Sequence, residues 1–180
     1  MRIVSGQYKG RRLVTPNDYT IRPTSDKVRG SIFNMLESRG ALDNSYVLDA
    51  FCGSGALGLE ALSRGAKDCH FVDKDSVSVE LARENAALLG CADNCDFTVK
   101  DARTLKGDGK RYNLVFLDPP YGKNYITLLL NHLAQDGFLE SDAWVVCESE
   151  KGLNILHQAY NLVVEKTYGR SQIVFLRYAS

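Results

Sequence analysis

Beyond Tyr46, short apolar runs alternate with amphipathic helical stretches, and this alternation limits the fold more than any other feature of the sequence. The predicted strands are 47–51, 69–73, 96–100, 113–117 and 143–147, and the predicted helices are 56–64, 76–89 and 125–134. Repeated strand–helix units require a mostly parallel sheet with helices on both faces. The alternation therefore predicts an α/β fold.

The last two apolar runs break this pattern. Residues 162–168 and 172–178 read as successive strands, and only Gly169-Arg170-Ser171 separates them. So short a connection joins antiparallel neighbours, whereas parallel strands need a long crossover. We therefore expect one late strand of the sheet to run antiparallel.

The beginning of the chain also differs from the rest. Residues 2–14 have the pattern of a short β-hairpin with glycines near its bend. A loop follows, and then a helix that either Thr24 or Ser25 can cap. We predict an N-terminal arm, residues 1–23, and a single larger domain, residues 24–180.

Charge is unevenly distributed along the chain. Lys plus Arg and Asp plus Glu number 22 each, so the formal net charge is zero, which by itself speaks against a nucleic-acid partner. The first 40 residues, however, hold eight cations and three anions. This asymmetry favours a basic arm on a mildly acidic body, and the alternative is a solvated basic face.

The sequence lacks the marks of membrane or secreted proteins. No apolar run approaches the roughly 20 residues that span a bilayer, and the N-terminus does not resemble a signal peptide. The cysteines are five, an odd number that fits a reduced, cytoplasmic protein. Cys91 and Cys95 have a metal-ligand spacing, but no second Cys/His pair follows nearby, so we expect no metal site.

A glycine-rich turn follows the first predicted strand. Residues 53–58, Gly-Ser-Gly-Ala-Leu-Gly, have the spacing G-x-G-x-x-G, which lets a ligand approach backbone N–H groups where a helix begins. The motif alone also fits a plain strand-to-helix turn. Asp73 strengthens the prediction of a nucleotide-type site, because an acid ending the second strand is placed to accept both ribose hydroxyls. A solvent-exposed Asp at a strand end is the alternative.

Asp49 distinguishes between two ligands that use this geometry, NAD and S-adenosylmethionine. It lies at the end of the first strand, four residues before Gly53, where a dinucleotide-binding fold usually has an apolar residue. A carboxylate there would repel pyrophosphate, but it suits a cationic α-amino group or a sulfonium. An aminoacyl nucleoside is therefore favoured over a dinucleotide.

The fourth predicted strand ends in Asp118-Pro119-Pro120-Tyr121. The two prolines direct the backbone away from the sheet and remove two donors. The Asp118 carboxylate and the Pro119 carbonyl can then accept the N–H bonds of an exocyclic amino group and localise its lone pair toward an electrophilic methyl group. Tyr121 would stack on the base. The alternative is a Pro-Pro turn with an exposed tyrosine.

These residues carry a resemblance to known methyltransferases. Residues 118–121 resemble motif IV of the S-adenosylmethionine-dependent amino-group methyltransferases, and residues 47–55 resemble their motif I. Four further runs resemble signatures of the bacterial RsmD family, the 16S rRNA guanine-N2 methyltransferases: residues 5–13, 21–29, 58–66 and 147–150. The resemblance covers essentially the whole chain.

The resemblance implies a class I methyltransferase fold, a Rossmann-like seven-stranded sheet with one antiparallel strand and an N-terminal β-hairpin. It implies S-adenosylmethionine as cofactor, bound by Thr24, Asp49, Gly53, Gly55, Asp73, Lys74, Asp101 and Ala102. One position departs from the family, because Gly30 stands in a helix where an acidic residue is often found. This departure leaves the role of that helix toward the cofactor open.

The resemblance further implies methyl transfer to guanine N2 in 16S rRNA, on the small ribosomal subunit or an assembly intermediate. Asp118, Pro119, Pro120 and Tyr121 would be catalytic. Six cations would bind phosphates: Arg2, Lys9, Arg11, Arg12, Arg22 and Lys123. We expect a monomer that does not bind membranes.

Three other functions compete with this one. A DNA amino-methyltransferase usually carries a separate target-recognition region, for which 180 residues leave no room. A small-molecule methyltransferase would not explain the basic arm. A non-catalytic RNA-binding or assembly module with a methyltransferase fold would explain the arm but would not need a cofactor.

Overall fold

The computed structural model describes residues 1–15, 25–107, 109–122, 124–135 and 137–179. Its helices are α1 (Asp26–Glu37), α2 (Ala56–Ser63), α3 (Ser76–Leu89) and α4 (Tyr125–Gln135). Its strands are β1 (Tyr46–Asp49), β2 (Asp68–Asp73), β3 (Cys95–Val99), β4 (Tyr112–Leu117), β5 (Leu139–Glu150), β6 (Tyr160–Tyr168) and β7 (Ser171–Tyr178). Two short 3₁₀ turns, Ala92–Asn94 and Ala102–Thr104, flank β3.

The seven strands form one mixed sheet in the order β3-β2-β1-β4-β5-β7-β6. Strands β1 to β5 pair in parallel, and β7 is antiparallel to both of its neighbours. The predicted fold class, including the single antiparallel strand, is confirmed. Strand order reverses between β1 and β4, and in such sheets ligands bind in the crevice beyond the carboxyl ends at this reversal.

The alternation of side chains along each strand divides the core into two layers. Leu114 and Phe116 of β4 pack with α1, α2 and α3, whereas Val115 and Leu117 pack with α4. We call the side covered by α1, α2 and α3 the front face. Its packing includes Phe33 of α1, whose ring centroid lies 5.4 Å from that of Phe116.

The N-terminal hairpin is fastened to the front-face helices. A single antiparallel bridge joins Arg2 to Arg12, and Ile3 and Leu13 are buried in the front-face core. Farther along, Asn85 of α3 holds the backbone of Val14, accepting from its N–H at 2.7 Å and donating to its carbonyl at 2.9 Å. The described part of the predicted arm therefore has its own apolar and polar contacts with the domain.

A buried carboxylate completes this attachment. Glu60 of α2 is inaccessible to solvent and accepts the backbone N–H groups of Val4 at 2.7 Å and Ser5 at 3.0 Å. Two guanidinium groups balance its charge, with Arg64 Nε at 2.9 Å and Arg29 Nε at 3.7 Å. Because buried charges are stable only when paired and hydrogen-bonded, Glu60 fixes the hairpin, α1 and α2 in one arrangement.

Two helical glycines provide a matched test of packing. A Cβ at Gly58 of α2 would lie 2.4 Å from Phe71 Cε1 and 2.5 Å from Cys69 Sγ, whereas one at Gly30 of α1 would meet only Val4 Cγ1 at 3.6 Å. We expect Gly58→Ala to destabilise the protein by about 1–3 kcal/mol through overpacking. We expect Gly30→Ala to stabilise it by about 0.5–1 kcal/mol through helix propensity.

Urea unfolding followed by circular dichroism measures both changes. Equal effects of the two substitutions would contradict this account of the α2–β2 contact.

The described residues contain no helix both long and apolar enough to span a membrane. All five cysteines lie in the described ranges and are free thiols. Nowhere in those ranges do three or more His, Cys, Asp or Glu side chains form a group able to hold a metal ion.

Candidate active site

Four acidic residues stand side by side where neighbouring strands end at the carboxyl edge of the sheet. Asp73 and Asp49 are the last residues of β2 and β1, and Asp118 directly follows β4. Leu117 of β4 is paired with Cys147 of β5, so the next residues, Asp118 and Glu148, are neighbours across the two strands. By alternation all four acids are on the front face, on strands about 4.8 Å apart.

Asp49 is the most deeply buried of the four. Its side chain is almost inaccessible, and its Oδ2 accepts the N–H of Gly58 at 3.0 Å. Burial raises the pKa of Asp49 to about 7, the nearby Asp73 adds to this, and the Gly58 hydrogen bond opposes it. Since a neighbouring cation favours the ionised form of a buried carboxyl, this position favours a positively charged ligand group.

The glycine-rich turn lies against Asp73. Gly53 and Gly55 have φ angles of 50° and 78°, in the left-handed region that glycine adopts without strain, and Gly55 caps α2. The N–H of Gly53 donates to Asp73 Oδ2 at 3.1 Å, and that of Asp75 donates to Oδ1 at 3.0 Å. The Asp73 carboxylate is thus oriented beside the turn, and Lys74 next to it is exposed.

Asp101 lies beyond the end of β3, followed by the buried Ala102. Charged hydrogen bonds from Arg103 lower the pKa of the Asp101 carboxyl to about 2. The Arg103 guanidinium lies 4.4 Å from the centroid of the Tyr125 ring, which stacks on Phe51 at 6.2 Å. This stack joins the segments that follow β1, β3 and β4.

The predicted catalytic segment combines a shielded acid with an exposed ring. Burial raises the pKa of Asp118 well above the usual range of a carboxyl, and the charges of Glu148 and Asp49 raise it further. Pro119 is buried and Pro120 is exposed. The Tyr121 side chain is 47% exposed, and its hydroxyl shares a hydrogen bond of 2.5 Å with Ser171 Oγ of β7. The ring is therefore anchored at its tip and open to a stacking partner.

Three residues of this edge were not predicted from the sequence: Phe51, Tyr125 and Glu148. Glu148 belongs to a run that carried the family resemblance, but its position beside Asp118 depends on the pairing of β4 with β5 across a long connection. Phe51 and Tyr125 are likewise 74 positions apart in the chain and meet only through the sheet. The sequence did contain a signal for this pair, because an aromatic residue follows shortly after the motif at the end of β1 and another after the motif at the end of β4.

The predicted phosphate-binding cations have different surroundings. Arg2 is 67% exposed and forms an ion pair with Asp26 at 3.2 Å, and the Arg11 guanidinium donates to the Leu88 carbonyl. Lys9 and Arg12 are exposed. Three predicted site residues lie outside the described ranges: Thr24, Arg22 and Lys123.

Comparison with known proteins identifies close relatives along nearly the whole chain. A family model described as "Conserved hypothetical protein 95" matches residues 1–177. "Putative rRNA methyltransferase YlbH" of Bacillus subtilis is 36% identical over 183 residues, covering 98% of each chain. "Ribosomal RNA small subunit methyltransferase D" of Escherichia coli is 37% identical over 174 residues, covering 94% of this chain and 86% of the relative.

A solved structure agrees with these relationships. The "putative methyltransferase yhhF" from Escherichia coli superposes with a TM-score of 0.89 at 34% sequence identity. The match covers 99% of this chain and 98% of that one. It includes the hairpin, the sheet and the front-face helices described above.

Proposed function

The chain belongs to the conserved hypothetical protein 95 family, the RsmD family, and from this membership we propose that it methylates N2 of a guanine in 16S rRNA. Methylation of rRNA with S-adenosylmethionine is the activity supported by its named relatives. The site gives separate support for the choice of guanine and of its N2 amino group. The observation that carries it is the adjacency of Asp118 and Glu148.

The residues at the carboxyl edge fit S-adenosylmethionine. Asp49 is a buried carboxyl whose ionised form needs a cation, which the α-amino group of the cofactor provides. The turn at Gly53 and Gly55 would lie against its methionine part, and Asp73 would accept the ribose hydroxyls. Lys74, Asp101 and Ala102 would flank the adenine, and Thr24 would close the methionine end. When bound, the cofactor supplies a methyl group on a positively charged sulfur.

Two neighbouring carboxylates match the Watson–Crick edge of guanine. Guanine presents two adjacent donors there, N1–H and the N2 amino group, so Glu148 and Asp118 can each accept one. Adenine presents its amino group beside an N1 acceptor, which a second carboxylate would repel. Enzymes that act on an extruded base read this edge through hydrogen bonds, so the pair favours guanine over adenine.

The residues of the catalytic segment, 118–121, would assist methyl transfer to the amino group. Asp118 and the Pro119 carbonyl accept the N–H bonds of the guanine amino group and orient its lone pair toward the methyl group. The raised pKa of Asp118 makes it a competent acceptor for the proton that N2 loses on methylation. The Pro120 ring follows at the surface, and Tyr121 stacks on the base, a contact worth about 1–3 kcal/mol.

The RNA contacts follow from the same proposal. Extruding the base costs a few kcal/mol, less where an rRNA loop already splays its bases. Exposed cations of the hairpin, Lys9 and Arg12 among them, supply phosphate contacts that add affinity without reading sequence. We retain Arg2, Arg11, Arg22 and Lys123 in this role, with residues 1–23 as the arm and 24–180 as the catalytic domain. We place the monomeric protein in the cytoplasm, acting on the small subunit or its precursor.

Labelled S-adenosylmethionine tests this function. We expect label to enter small-subunit particles or 16S rRNA as N2-methylguanosine, identified after nuclease digestion by chromatography with mass spectrometry. Label in N6-methyladenosine, or in duplex DNA offered in parallel, would refute the proposed base or polymer. If calorimetry detects no heat of binding for either S-adenosylmethionine or S-adenosylhomocysteine, the non-catalytic binding module is favoured instead.

A further inference from the structure

A groove of about 720 Å³ lies on the front face between α1 and β6, apart from the crevice at the strand ends. One wall is α1, which contributes Lys27, Ser31 and Asn34 and is followed by Arg39 just beyond its end, and the opposite wall includes Lys166 of β6. Lys27 belongs to the run 21–29 that carries the family resemblance, but neither the glycine-rich turn, the catalytic segment nor the hairpin cations line this groove. Its walls therefore form a separate surface for which the proposed function has so far assigned no role.

The groove is electropositive. Lys27 and Lys166 are exposed, and within the described ranges no ion pair engages either of them. The one acid among the lining residues, Asp26, is compensated by Arg2 at 3.2 Å and by Arg29 at 2.9 Å. The lysine charges are thus available to an anionic partner.

The groove begins beside the catalytic segment. Arg29 near the start of α1 lies 3.7 Å from Glu60 of α2, and Glu37 at the end of α1 pairs at 3.1 Å with Arg64, which directly follows α2. The two helices therefore run in the same direction, and both begin toward the carboxyl edge. Tyr168, the last residue of β6, lies at that edge, and its hydroxyl shares a hydrogen bond of 2.5 Å with Ser31 Oγ in the middle of α1.

The neighbouring turn completes the connection. Tyr168 pairs in register with Ser171, which holds the hydroxyl of Tyr121. The exposed Arg170 lies between these two strand ends. A chain of contacts therefore links the stacking ring of Tyr121, through the β6–β7 turn that carries Arg170, to the groove.

We propose that this groove binds the sugar–phosphate backbone of the RNA strand that flanks the target nucleotide. The inference rests on the proposed function, since an extruded base at Tyr121 must be followed by its own backbone. Lysine ammonium groups bind phosphate as point charges, and the hydroxyl and amide groups of Ser31 and Asn34 suit phosphate and 2′-hydroxyl oxygens. Along α1, 12 residues provide a wall about 18 Å long.

Binding of 16S rRNA at several KCl concentrations, without cofactor, tests the groove. We expect the Lys27→Ala/Lys166→Ala double variant to bind about tenfold more weakly than the parent protein at low salt. The slope of log K against log salt should fall by about 1 for each lysine. Lys27→Arg/Lys166→Arg should restore both quantities, because arginine keeps the charge.

Lys106→Ala provides the matched control. Lys106 is an exposed lysine that follows Leu105, a residue of the α4 layer on the opposite side of the sheet. Its loss should change neither affinity nor slope. An unchanged affinity in the double variant would overturn the proposal, and so would a weaker affinity with an unchanged salt slope. Failure of the parent protein to form N2-methylguanosine would instead refute the proposed function. The binding measurement does not require methyl transfer, so the two failures can be distinguished.

Discussion

Replacement of Asp118 by alanine is expected to lower the rate of methyl transfer by about 100- to 1,000-fold, the usual effect of removing one preorganised polar group from a transition state. The carboxylate is placed to align the amino group and to accept its proton, and alanine does neither. Single-turnover transfer of labelled methyl to small-subunit particles measures the loss. Cofactor affinity by calorimetry serves as the control and should change little, since the acids that we propose to face the cofactor are Asp49, Asp73 and Asp101. Transfer at the parental rate would remove Asp118 from the mechanism.

The conservative variant Asp118→Asn separates orientation from proton transfer. Its amide oxygen still accepts a hydrogen bond, so we expect more activity than in Asp118→Ala. Because burial, Glu148 and Asp49 raise the pKa of Asp118, the parental kcat/KM for RNA at saturating cofactor should fall as pH drops through a value above that of an ordinary carboxyl. Asparagine does not titrate, and this acid limb should disappear.

Glu148→Gln tests the coupling of the two carboxylates. Removing the negative charge beside Asp118 lowers the pKa of Asp118, so the acid limb should move to lower pH. A limb that stays in place would show that Glu148 does not act on Asp118.

Replacement of Asp49 by asparagine is expected to stabilise the ligand-free protein while weakening its cofactor. The pKa of Asp49 is raised from 3.8 to about 7, so the folded protein retains a proton that the unfolded chain releases. Stability contributed by the protonated form is therefore present at pH 4 and lost as pH rises toward 7. The cost above pH 7 is roughly 4 kcal/mol, which asparagine avoids while keeping an acceptor for Gly58 N–H.

The same substitution removes a charged partner of the cofactor's α-amino group. We expect S-adenosylmethionine affinity to fall by roughly 10- to 100-fold, the effect of losing one charge-assisted hydrogen bond. Urea unfolding at pH 5 and pH 8 and calorimetry with S-adenosylmethionine measure the two effects. Asp43→Asn, at an exposed acid, should change neither quantity. An Asp49→Asn protein no more stable than the parent at pH 8 would contradict the raised pKa.

The local order of strands and helices was predictable from the sequence. The spacing of apolar residues and the placement of turn residues are set within a few neighbouring positions. The parallel core and the closing hairpin of β6 and β7 could therefore be assigned without tertiary information. Strand limits were less accurate: β5 spans Leu139–Glu150, whereas its apolar run predicted only 143–147. The additional residues of β5 join the strand mainly because neighbouring strands extend beside them. Ser149, for example, pairs with Gln172 of β7.

The motifs predicted a chemistry for single positions, because the requirement for a carboxylate, a glycine turn or a Pro-Pro step is local. Only the tertiary structure decided which of these positions are neighbours. The register of β4 and β5 places Glu148 beside Asp118, and the buried Glu60 holds the hairpin against α2. The direction of α1 beside β6 creates the groove of Lys27 and Lys166. Such contacts join residues tens of positions apart, and they arise only when the whole sheet is paired and the apolar faces of its helices are buried.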